Sequence, residues 1–116
     1  MPVETVTVGG IELTVLVADE PHEQRRGLSG MEELPLDGML FVFGDGESHT
    51  FSMEDTLIPL DIWWFSDSGE LLGWSEMPLC EEGSCPSYRS PGPIGWALET
   101  PAGEYRFEIG ATLTTG

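Results

Sequence analysis

The sequence predicts a mostly β fold: a compact antiparallel β-barrel or sandwich with one short helix. Three observations carry this. Short segments of period-two hydrophobicity recur along the chain, Gly- and Pro-containing turns separate them, and only one segment has helix punctuation. A length of 116 residues, 40% of them hydrophobic, suits one domain spanning residues 1–116 with a single real core.

"VETVTVGGIELTVLV" reads as a β-hairpin. Gly9-Gly10 supplies the positive φ angles of a two-residue turn. In the second arm Ile11, Leu13, Val15 and Val17 alternate with Glu12 and Thr14, so one face is buried. "ADEPHEQRRGLSG" then predicts a helix of about two turns, with Asp19 as N-cap, Pro21 in the first turn and Gly27 as the stop. Arg25 and Arg26 sit near its C-terminus, where cations suit the helix dipole.

"DGMLFVFGDGE" predicts a strand over Met39–Phe43 with apolar residues on both faces, as expected of a covered strand. "FSMEDTLIPLDIWWF" supplies two more, at about 50–54 and 60–66, broken at Ile58-Pro59. "GDGE" and "DSGE" read as hairpin turns, the second leading into a strand over Leu71–Met77. Residues 78–93 hold four of the nine prolines and both cysteines, and read as a long loop. "IGWALE" resumes period two with Ile94, Trp96 and Leu98 on one face. "PAGE" is a turn, "YRFEI" another alternating strand with Arg106 and Glu108 outward, and "ATLTTG" a short terminal strand.

Charge narrows the function classes. There are 21 acidic residues against four arginines and no lysine, for a net charge of −17. Such a chain repels phosphate backbones and anionic lipid, so no nucleic-acid partner is expected. The acids are spread along the chain, as in a protein adapted to salty surroundings; no EF-hand-like Ca²⁺ loop is present. No integral membrane segment is expected, since no apolar run is long enough. Met1-Pro2 leads straight into a strand-like run, so no signal peptide is visible, and an N-terminally trimmed chain would look the same.

Cys80 and Cys85 lie in "CEEGSC" within the Pro-rich loop. A structural disulfide there would contribute roughly 2 kcal/mol at best and fix the loop's shape. Free thiols and a redox or metal role are the alternatives. The C-x-x-C motif is absent, Glu81 and Glu82 oppose thiolate formation, and zinc would need ligands beyond distant His22 and His49. A disulfide implies an exported protein, periplasmic or extracellular.

No P-loop, G-x-G-x-x-G or H-E-x-x-H motif occurs, and "GLSGM" falls short of G-x-S-x-G at Met31. His22 reads as solvated on a helix turn and His49 as solvated at a strand start. No metal or cofactor is expected. The polar residues within the apolar stretch are the candidates. On a strand, Asp61 shares a face with Trp63 and Phe65, and needs a hydrogen bond or a partner among Arg25, Arg26 and Arg106. One reading ties Asp61 and Thr56 to backbone groups around Pro59; the other makes them polar spots on an aromatic-lined pocket. Glu54 and Asp55 on a strand would point to opposite faces, so they are not a glycosidase-type pair. Met53 shares the Phe51 face and reads as core.

Taken together, "RRGLSG", "DGMLFVF", "FSMEDTLIPLDIWWFSDSGELL", "LCEEGSCPSY" and "WALETPAGE" resemble the DUF192 family, also called UPF0127, over about 15–110. The resemblance implies a compact β-rich barrel or sandwich with a short helix and frequent export, and it carries over no established activity. The family's characteristic positions map to Arg25 or Arg26, Gly27, Leu28, Gly38, Met39, Phe41, Phe51, Met53, Thr56, Pro59, Leu60 and Asp61. Where the family usually has Trp, Lys and Asn, this chain has Ser52, Glu54 and Asp55, and Ser29 replaces a Met.

The expectation is a non-enzymatic, monomeric module binding a small polar molecule or a protein partner in a shallow cleft. Its candidate contacts are Arg26, Ser52, Met53, Glu54, Asp55, Thr56 and Asp61. The alternatives are a hydrolase acting on a sugar-like substrate through Asp55 and Asp61, and a purely structural or interaction domain.

Overall fold

The computed structural model describes residues 1–34 and 36–115. Among the described residues nine strands and one helix follow in order: β1 (Val3–Val8), β2 (Ile11–Ala18), α1 (Pro21–Arg26), β3 (Gly38–Val42), β4 (Thr50–Ser52), β5 (Leu60–Phe65), β6 (Leu71–Met77), β7 (Ser87–Arg89), β8 (Trp96–Pro101) and β9 (Leu113–Thr115). Seven strands form a curled sheet in the order β6-β5-β8-β3-β2-β1-β9, and β4 pairs with β7 in a small second sheet. The mostly β architecture with one short helix is the predicted class.

The first hairpin turns at Gly9-Gly10, with φ of 54° and 85°, and Val8 faces Ile11 across it. The curl brings the two ends of the large sheet together. Leu71 N–H donates to Ala111 O (2.9 Å), Gly110 N–H to Leu71 O (2.9 Å) and Leu113 N–H to Gly69 O (2.7 Å). These bonds supply partners that the edge strands would otherwise lack.

Alternation sorts the apolar residues into two cores, one on each face. One contains Leu13, Val15, Leu40, Trp63, Phe65, Leu71 and Leu98. The other contains Leu28, Met39, Phe41, Phe51, Met53, Leu60, Ile62, Trp64 and Ala97. β5 is buried at every position because a core covers each face, and Asp61 shares its face with Trp63 and Phe65 as the period-two reading requires.

Several expectations are corrected. The sheet is antiparallel except for β2 and β3, which run parallel from Val15↔Gly38 to Ala18↔Phe41. Parallel neighbours need a crossover, and α1 with its flanking loops provides it. The helix begins after Glu20, not Asp19: the Glu23 carboxylate accepts from the N–H groups of both Asp19 (3.3 Å) and Glu20 (3.2 Å). Gln24 Nε2 donates to Ala18 O (3.2 Å) and Val42 O (2.6 Å), tying the helix to the ends of β2 and β3. Residues 44–47 close no hairpin; they carry the chain from β3 in the large sheet to β4 in the small one.

The loop at 78–93 contains β7, which pairs with β4 through Thr50↔Arg89, Phe51↔Tyr88 and Ser52↔Ser87. "YRFEI" is not a strand: Phe107 is buried and Arg106 exposed as alternation requires, but no ladder forms there. Ile94 packs in the second core, opposite to Trp96 and Leu98, because β8 begins only at Trp96. Cys80 and Cys85 form a disulfide. No helix among the described residues is long and apolar enough to cross a membrane.

Candidate functional site

A cleft of ≈ 640 Å³ opens where the end of α1, the small sheet and the turn after β4 meet over the second core. Its floor is apolar, with Leu28, Phe41 and Phe51. Phe51 meets Phe41 edge-on at a centroid distance of 5.5 Å and Phe43 at 6.1 Å. The large sheet thus supplies a rigid base, and the small sheet supplies a wall.

One wall is the helix end. Arg25 and Arg26 line the cleft and are exposed. Gly27, at φ 51°, turns the chain sharply there, and its N–H still donates to Glu23 O at 2.9 Å. The facing rim is the turn 53–56, closed by Thr56 N–H to Met53 O (3.0 Å), with Asp55 at φ 58°. Ser29 Oγ donates to Glu54 O (3.2 Å) and Gly30 N–H to Asp55 O (2.9 Å), so the two rims are stitched together. Glu54 and Asp55 therefore lie on a turn, not on a strand with opposed faces, since β4 ends at Ser52.

Of the residues picked from the sequence, Arg26, Ser52, Glu54, Asp55 and Thr56 line this cleft. Met53 does not: it is 1% exposed and packs in the second core. Asp61 does not either. It is 3% exposed, and its Oδ2 accepts the Gly103 N–H at 2.9 Å. Among the described residues no arginine forms an ion pair, so of the two partners considered for Asp61 it is a backbone group near Pro59, not an arginine, that the carboxylate meets.

Two cleft residues went unremarked or were misjudged. His49, read as solvated, stacks on Phe43 at a centroid distance of 3.7 Å, and its Nε2 lies 3.0 Å from Asp45 Oδ1. That hydrogen bond holds the Asp45 carboxyl below its ordinary pKa. Glu99 was missed. It lies on β8 opposite Met39 of β3 and Ile62 of β5, is 5% exposed, and reaches the cleft. Burial pushes its carboxyl up to about 8, so it holds its proton at neutral pH. The signal was present: if Trp96 and Leu98 share one face, Ala97 and Glu99 share the other, which the apolar Met39 and Phe41 also occupy.

Glu20, His22 and Glu23 also cluster, with ligand atoms within 4.8 Å of one another. They are at the start of α1, and Glu23 already serves the helix N-terminus. The arrangement reads as a solvated helix start.

Comparison with known proteins agrees with this fold. A Sinorhizobium meliloti protein, provisionally named a transcription regulator, superposes with a TM-score of 0.86 at 25% identity, covering 98% of this chain and 94% of that one. A Novosphingobium aromaticivorans protein of unknown function gives a TM-score of 0.83 at 26% identity, covering 97% of this chain and 84% of that one. No curated protein matches the chain. The DUF192 family model, described as Uncharacterized ACR, matches residues 4–114, and the chain belongs to that family.

Proposed function

We propose that this protein is a non-enzymatic, exported module that binds a small polar molecule in the cleft between α1 and the turn 53–56. The observation that carries the reading is the convergence of polar side chains on an apolar, aromatic floor: Arg26, Ser52, Asp55 and Thr56 from the rims, Glu99 from below. That is the usual format of a small-ligand site. The Cys80–Cys85 disulfide supports export. A net charge of −17 argues against a nucleic-acid role of the kind the Sinorhizobium meliloti neighbour's name suggests.

The hydrolase reading through Asp55 and Asp61 loses its geometry, because Asp55 is on the cleft rim while Asp61 is committed to Gly103. A ligand for the cleft is expected to move the amide resonances of Ser29, Ser52 and Thr56, and Arg26→Ala to weaken its binding. A bound ligand seated elsewhere, with those resonances unmoved, overturns the reading.

A further inference from the structure

The chain buries four polar or charged side chains among the described residues: Asp61, Ser90, Glu99 and Thr100. Asp61 accepts from Gly103 N–H, Thr100 Oγ1 from Trp63 Nε1, and Ser90 Oγ accepts from His49 N–H and donates to Gly92 O. Glu99 alone of these has no side-chain hydrogen bond to a described residue. Native proteins rarely leave a covered carboxyl without a partner, and a lone one calls for a reason. Glu99 faces the apolar Met39 and Ile62 across its neighbouring strands, and its outlet is the cleft.

The charged groups around that outlet are Arg25 and Arg26 from α1, His49 ahead of β4, and Glu54 and Asp55 from the turn after it. Both arginines are exposed and neither pairs with Glu99, although they share the cleft. What reaches Glu99 therefore comes from solution. A carboxylate at the end of a pocket walled by Phe41 and Phe51 suits a cationic head group, which gains a charge-assisted hydrogen bond and aromatic faces alongside. The field of a chain with net charge −17 concentrates cations in such a concavity.

We infer that the cleft takes a small organic cation, a primary ammonium or a guanidinium, seated against the Glu99 carboxylate. The inference rests on the cleft being a ligand site. At neutral pH the free protein holds a proton on Glu99, whose carboxyl is pushed up to about 8 by burial. Below about pH 8, seating the cation sends that proton to solvent, so one proton leaves for each cation bound.

The test is calorimetric titration of the full chain with butylammonium and methylguanidinium, with acetate and glucose as anionic and neutral probes, and amide spectra to locate binding. The cations are expected to bind in the cleft. Their affinity should rise by about tenfold per pH unit up to about pH 8 and then level off. Buffers of different ionisation enthalpy should report the released proton. Glu99→Gln should weaken the cations by about 30-fold or more; the pH slope is read on the unaltered chain and does not depend on that variant folding. Acetate or glucose in the cleft without the cations, or affinity that falls as pH rises, overturns the cation while leaving the cleft. Cation binding unchanged in Glu99→Gln overturns Glu99 as the seat. If no probe of any charge moves the cleft resonances, both readings fail.

Discussion

The Asp61 carboxylate accepts the backbone N–H of Gly103 at 2.9 Å, joining the start of β5 to the turn after β8 across 42 positions of sequence. Beside it, Ala102 N–H donates to Pro59 O at 3.1 Å. The pair pins both strand ends where the chain breaks at Pro59. Asp61→Ala removes the buried acceptor of a part-buried bond, a loss of roughly 1–3 kcal/mol. Urea unfolding should show it as a lower midpoint at unchanged slope. Asp61→Asn, which keeps an acceptor oxygen, should lose less. An unaltered midpoint for Asp61→Ala would show that the bond contributes nothing.

Glu99 makes stability depend on pH in the direction opposite to most carboxylates. Its folded pKa, about 8, lies above the 4.5 of an ordinary glutamate. Between those values the folded chain keeps a proton that the unfolded chain has released, so stability falls as pH rises through this window. Below about pH 4.5 the penalty is absent; above about 8 it is complete, at a few kcal/mol on the order of 1.4 kcal/mol per unit. Glu99→Gln removes it. The variant should melt above the parent at pH 8–9, with the difference shrinking towards pH 5. Parallel melting curves across that range would show that Glu99 is ionised and satisfied in the folded state.

What was legible in the sequence follows from range. Hairpin β1–β2, the two faces of β5 and the buried β3 depend on local alternation and adjacent turns, which period-two patterning reports directly. β7 was hidden because three residues beside prolines carry no periodicity; β4, far along the chain, makes it a strand. "YRFEI" shows the reverse: its alternation is real, yet without a neighbouring backbone to pair with it stays irregular. The parallel β2–β3 pair is a property of the crossover rather than of either strand's residues. For Asp61 the burial and the need for a donor are legible, but which donor is not: a turn N–H serves as well as an arginine, and only the fold brings Gly103 to it. The cleft was half visible, since residues 52–56 contribute a contiguous rim, whereas Glu99 and His49 join it only through tertiary pairing.

Gly38 shows how closely β3 and β8 approach beneath the cleft. A Cβ there would collide with the Glu99 carbonyl oxygen, a backbone atom fixed by the sheet. Gly38→Ala should therefore force β3 away from β8 and cost about 1–3 kcal/mol, as overpacking does. Because Glu99 rides on the strand that must move, the same variant should also disturb the amide resonances of the cleft floor at Phe41 and Phe51. A Gly38→Ala protein with parental stability would mean the strands part without cost.

The disulfide at Cys80–Cys85 lies just ahead of β7, and β7 holds β4, whose Thr50 and Ser52 line the cleft. Its effect should be local. A ring with four residues between the cysteines limits the unfolded chain only slightly, so Cys80→Ser with Cys85→Ser should cost about 2 kcal/mol at most. Amide exchange should quicken in β4 and β7, which pair with each other in a sheet of two, and stay slow in β5 and β8 within the large sheet. A thiol titration of the unreduced chain should find no reactive cysteine. Uniformly faster exchange throughout the large sheet would show instead that the small sheet and the main fold open as one unit.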